Sequence, residues 1–147
     1  MKYTYQKTRF RPRRPVRSFR DLEVYQKALE GAVAVTKKIF PLLQEKCYPL
    51  RDEMVKCALK IPNIIAEAHS MRFESNMAGL SLLNEAMTGC NKMVVYLEQA
   101  RDIYSDDVDK VLIEELIRKY TYNRRKIFNL YKAWKRFMTE DSRKTIT

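Results

Sequence analysis

Arg118, Arg125 and Lys132 stand seven residues apart, so a helix through them presents all three on one face. Lys119, Arg124, Lys126, Lys135 and Arg136 fall in the same stretch, 118–136, and no acid interrupts it. A second run, residues 1–18, carries Lys2, Lys7, Arg9, Arg11, Arg13, Arg14 and Arg17, again without an acid. The formal net charge is +11, so these seven cations alone match seven of its eleven units. Residues of this type make charge-assisted hydrogen bonds to phosphate oxygens. Charge segregated by sign also builds a field that attracts polyanions, and nucleic acid is the commonest of these in a cell. Asp106, Asp107 and Asp109 precede the later run, so helix-dipole compensation explains part of it. It does not explain eight cations without one acid. The candidate nucleic-acid contacts are therefore Arg9, Arg11, Arg13, Arg14, Arg17, Arg118, Arg125, Lys126, Lys132, Lys135 and Arg136. Tyr122, Tyr131 and Trp134 lie among the cations, where they either fill a core or stack on unpaired bases.

Catalytic chemistry has little to work with. His69 is the only histidine, and a structural or solvent-exposed role suits it. Cys47, Cys57 and Cys90 lack metal-ligand spacing, and an odd count makes no disulfide framework. Glu67 reads as a hydrogen-bond acceptor within a bundle or at an interface. No glycine-rich phosphate loop occurs. The expectation is a non-enzymatic protein with neither metal nor cofactor. Reduced thiols suit the cytoplasm. The basic N-terminus lacks the apolar run of a secretory signal, and no apolar run approaches the ~18 residues that span a membrane.

The elements that position these residues are helical. Hydrophobic residues make up 46% of the chain and charged residues 32%, a globular balance for one domain of 147 residues. The 3 Gly and 5 Pro are too few for a turn-rich fold. Residues 1–18, rich in Arg and Pro, read as a basic disordered arm able to order on RNA. Residues 19–139 read as a bundle and 140–147 as a short tail. The first helix is expected over 19–43, with Leu22, Tyr25, Leu29, Ala32, Thr36, Ile39 and Leu43 on its inner face and Pro41 disturbing its last turn. The second covers 51–70, with Met54, Cys57, Ile61, Ile64 and Ala68 inward and a kink at Pro62. The third covers 75–104 and carries two apolar stripes, one through Leu80, Leu83, Met87, Cys90, Val94 and Leu97, the other through Leu82, Ala86, Gly89, Met93 and Tyr96. So wide a sector predicts burial on two sides, one of them a neighbouring subunit. The fourth, over 106–138, starts at Ser105–Asp107 and repeats Ile113, Ile117, Tyr120, Arg124, Ile127, Tyr131 and Trp134 inward. Short connections make the fold class all-α, an antiparallel up-down-up-down four-helix bundle.

Two segments carry a family resemblance. Residues 19–28 read Phe-Arg-Asp-Leu-Glu-Val-Tyr-Gln-Lys-Ala, and Ile61-Pro62 is followed by Ile65-Ala66-Glu67. Over about 19–138 the chain resembles the bacterial four-helix-bundle proteins encoded in intervening sequences of large-subunit ribosomal RNA genes. Their second motif is S-I-P-x-N-I-A-E-G; here Lys60 replaces the Ser, Ile64 the Asn and Ala68 the Gly. Lys92 stands where the third helix of the family carries an acid. That family is similar to the accessory variability determinant of diversity-generating retroelements, which forms basic homopentameric rings that bind a reverse transcriptase and its template RNA. The resemblance implies a homo-oligomer, a pentamer, with RNA and a reverse transcriptase as partners. The added lysines move this chain toward the polyanion-binding relative. The alternative is a protein-interaction scaffold without specific nucleic-acid binding.

Overall fold

The computed structural model describes the backbone of residues 15–145 and the side chains of residues 15–138. Arg9, Arg11, Arg13, Arg14 and nearly all of the expected arm lie outside the described residues. Within them the protein is all-helical, four helical rods with no strand.

The first rod opens on a capping box. The Ser18 hydroxyl accepts from the Arg20 N–H at 3.2 Å, and the Asp21 carboxylate accepts from the Arg17 and Ser18 N–H groups. A 3-10 turn, Phe19–Asp21, leads into α1, Glu23–Ala34. Five residues of π-helix, Val35–Ile39, follow, and then α2, Phe40–Glu45. Pro41 is the cause: it has no N–H to donate, and its ring crowds the carbonyl four residues back. The helix widens so that the Phe40 N–H reaches Val35 O instead. The disturbance therefore falls at Val35–Ile39, just ahead of the last turn where it was expected. The rod ends in a Schellman turn, with Cys47 at φ 55° and the Tyr48 N–H bonded to Leu43 O at 2.9 Å.

The second rod, α3, is Arg51–Met71, continuous through the buried Pro62. The third, α4, is Asn76–Ile103, capped by the Ser75 hydroxyl. The fourth, α5, is Lys110–Thr145, 36 residues or about 54 Å at 1.5 Å per residue. It starts four residues later than expected. Residues 105–107 form the preceding turn, held by the Asp107 and Val108 N–H groups on Tyr104 O, and Asp109 caps the helix through the Leu112 N–H. With no Gly or Pro after residue 110, nothing local stops it at 138.

α4 packs against both α3 and α5, and α1 packs against the same two helices. Leu43, Met54, Ile61, Ile65, Leu83, Met93, Leu97, Ile113 and Ile127 fill the centre. Gly89 lets α3 and α4 approach closely, since a methyl group there would lie 2.9 Å from Ile61 Cγ1. Most of the two stripes of α4 is buried within one chain, through Leu80, Leu83, Met87, Cys90, Ala86, Gly89 and Met93, while Leu82, Val94 and Tyr96 are half-buried. The width of the buried sector reflects contact with two neighbouring helices.

Inward assignments shift on three helices. Leu29 is exposed, and α1 buries Val24, Ala28 and Gly31 alongside the expected Ala32. On α3, Ala58 and Ile65 are more deeply placed than Cys57 and Ile64. On α5, Arg124 faces out and Asn123 takes the buried position. The physical reason is desolvation, because an amide with one partner costs far less to bury than a guanidinium. Asn123 Nδ2 donates to Val24 O at 3.1 Å, tying α5 to the first turn of α1.

The Tyr120 hydroxyl is buried against Gly31, where an added Cβ would lie 2.9 Å from it, and it has no hydrogen-bond partner. Burial pushes its ionisation well above the ordinary phenol value. An unsatisfied buried hydroxyl costs roughly 1–3 kcal/mol. Tyr120→Phe keeps the ring and removes that cost, so thermal unfolding should show a gain of about 1 kcal/mol, measured as a higher midpoint.

Candidate nucleic-acid interface

Six of the expected contacts belong to α5. Arg118, Arg125, Lys132, Lys135 and Arg136 are exposed, and Lys126 is half-buried. Heptad spacing drifts by only ~20° per repeat, so Arg118, Arg125 and Lys132 form one ridge about 21 Å long on the side opposite Tyr120 and Ile127. The core residues of the same helix fix this orientation. Ile113, Leu116, Tyr120, Asn123, Ile127 and Trp134 are all buried, so the rotation of α5 is not free.

Arg17 is exposed as well. The bundle brings its segment to the basic helix. A recess of about 550 Å³ is lined by Val16, Asp21 and Glu23 on one side and by Lys126, Asn129 and Ala133 on the other. Residues 16–24 thus meet the middle of α5 across this recess, and Arg17 is the one cation of the first run among the described residues. Lys119 is different: it pairs with Glu115 at 3.1 Å, one turn back.

Three lysines lie over aromatic rings one turn earlier on the helix. Lys126 Nζ is 5.2 Å from the Tyr122 ring centre, Lys132 is 4.9 Å from Phe128, and Lys135 is 5.9 Å from Tyr131. Tyr122 and Phe128 are exposed, Tyr131 is half-buried and Trp134 is buried. Phe128 was missed by reasoning from sequence. Its signal was the i,i+4 spacing to Lys132, which recurs at Tyr122–Lys126 and Tyr131–Lys135.

Charge of the other sign gathers where α4 meets α5. Arg101 there is held by Asp102 and Glu114, each at 2.8 Å, with Glu98 at 3.8 Å. Lys46 pairs with Asp107 at 3.4 Å. Arg101 and Lys46 near this end are committed to acids; on the ridge, Arg118 has Glu114 and Glu115 one turn back, and the stretch 118–136 around Arg125 and Lys132 holds no acid.

The groups with catalytic potential are dispersed. His69 is buried, edge-on to Phe73 at 5.5 Å. Burial lowers its pKa from the usual 6.5, the Arg72 cation lowers it further, and Asp21 opposes them. The unfolded chain then binds the proton more readily than the folded one, so stability is fully present above pH ~6.5 and falls as pH drops below it. His69→Gln should flatten the fall in denaturation midpoint between pH 7 and pH 5. The Cys57 thiol donates to Gly89 O at 3.5 Å, and burial raises its pKa against the opposing pull of Lys92 and Lys60. Burial pushes Cys90 up to about 12. Neither is a thiolate near neutral pH. Glu67 is exposed. Among the described residues no group of His, Cys, Asp and Glu is placed to hold a metal ion, and no helix is long and apolar enough to cross a membrane.

Comparison of the chain with protein-family models, with curated proteins and with solved structures finds no match.

Proposed function

We propose that this protein is a non-enzymatic, cytoplasmic accessory subunit that binds RNA through the cationic ridge of α5 and the N-terminal segment that joins the bundle beside it. The observation that carries this reading is the ridge itself. It is an exposed line of cations on a helix whose opposite face is locked in the core, in a chain of net charge +11. Arg9, Arg11, Arg13 and Arg14 would extend the same positive surface. The four rods are read as up-down-up-down. Supporting pairs are Gly79 against Ala68, Gly89 against Ile61, Asn76 against Trp134, Arg101 against Glu114 and Gly31 against Tyr120.

The family resemblance extends the proposal to a homo-oligomer, a pentameric ring, with a reverse transcriptase as protein partner. Exposed Leu59 and Val95 on α3 and α4 leave apolar surface for such contacts. The test is binding of the nuclease-treated protein to structured RNA and to duplex DNA across a salt series, with light scattering for assembly. Tight RNA binding with a steep salt slope and a preference over DNA is expected. Weak binding, equal for both polymers and lost at physiological salt, would replace this reading with the scaffold alternative.

A further inference from the structure

Tyr122 and Phe128 lie three residues to either side of Arg125. At 100° per residue they fall about 60° to the left and right of the cationic ridge, some 9 Å apart along the axis. Each leaves over two-fifths of its surface exposed, at 43% and 44%. Single exposed aromatics are ordinary. These two differ from the exposed Phe73, which also lies under a cation, in flanking the ridge of α5; Lys126 lies over Tyr122 and Lys132 over Phe128, so that each ring is steadied by a cation. Tyr122 is held further by its hydroxyl, which lies 3.5 Å from Glu23 Oε1 on α1. Beside it a recess of about 240 Å³ is bounded by Lys27, Glu115, Arg118 and Lys119. That volume is below the ~300–1,000 Å³ of drug-sized sites and suits one planar ring system.

We infer that this surface takes RNA as an unpaired strand, with bases stacked on Tyr122 and Phe128 and phosphates held by Arg118, Arg125 and Lys132 between them. The inference rests on the RNA-binding reading above and names the form of RNA. Bases in a duplex keep their faces inside the stack, and the deep major groove of A-form RNA does not admit side chains. A pair of exposed rings flanking a phosphate-binding ridge has a use only where bases are free, and alternation of rings with cations is how unpaired strands are gripped.

The experiment compares an unstructured oligouridylate with a blunt RNA duplex of equal phosphate count. The wild-type chain and the double variant Tyr122→Ala/Phe128→Ala are titrated with each. Both positions are exposed, and circular dichroism checks the fold. The double variant should lose at least ~10-fold in affinity for the oligouridylate, with its salt slope and its duplex affinity unchanged. Tyr122→Phe with Phe128→Tyr should restore the wild-type value. Equal losses on both polymers, or none on either, would overturn the inference and leave RNA binding standing. If the wild-type chain binds neither polymer at low salt, the RNA-binding reading falls, and this inference falls with it.

Discussion

Replacing Arg118, Arg125 and Lys132 together by Ala should lower affinity for RNA about 100-fold near 0.1 M salt. Each phosphate contact on a single strand contributes ~0.7 to the slope of log affinity against log salt. Three contacts contribute about 2, and at 0.1 M that is about two decades of affinity. The slope itself should fall by the same amount, which separates lost phosphate contacts from a general weakening. The three positions are exposed and Ala is a strong helix former, so the fold should be untouched. Net charge falls by three in the variant, and a control with the same charge loss is needed. Lys37, Lys38 and Lys56 are exposed cations away from α5, and their triple Ala variant should keep most of the wild-type slope. If the two triple variants behave alike, the ridge is only a share of the net charge and α5 is not the site.

Trp134→Ala should cost roughly 3–5 kcal/mol, the range for truncating a buried large aromatic. Trp134 is 2% exposed. The Arg72 guanidinium covers its ring at 4.4 Å, and Asn76 Nδ2 donates to its carbonyl at 3.2 Å. This one residue therefore ties the late half of α5 to the end of α3 and the start of α4. Against a total stability of about 5–15 kcal/mol, the loss is large. Thermal unfolding should show a drop in Tm of about 10–20 °C. The charged face should suffer too, because Lys132, Lys135 and Arg136 lie on the segment that Trp134 anchors. Trp134→Phe keeps an aromatic under Arg72 and should lose much less. A Tm within a few degrees of wild type for Trp134→Ala would mean that the late half of α5 is not fastened at this point.

Much of the scaffold was legible because it depends on local rules. The spans of α3 and α4, expected over 51–70 and 75–104, follow from apolar residues at three- and four-residue spacing between the loop at Pro49 and the turn at 105–107. The start of α5 was misread because Asp106, Asp107 and Asp109 are all competent caps, and periodicity does not choose among them. The choice fell to Asp109 because residues 104–108 are used in the turn between α4 and α5. The Arg124 assignment failed for a related reason. A 3.6-residue period allows two neighbouring registers, and Asn123 or Arg124 fits either until the cost of burying a charge decides.

By itself the sequence determined the helical class, the two acid-free cationic runs and the heptad spacing of Arg118, Arg125 and Lys132. Composition and spacing are local properties, and no partner helix is needed to read them. Tertiary structure alone decided which face of α5 is outward, that residues 16–23 meet Lys126 and Asn129 across one recess, and that most of both stripes of α4 is buried within the chain while Leu82 stays half-buried. It also decided that Tyr122 and Phe128 are exposed while Trp134 is buried, although all three lie among the same cations. The reason is that burial depends on the whole packed interior. α5 has one rotation at which Ile113, Leu116, Ile127 and Trp134 leave water together, and every outward residue takes its place from that rotation.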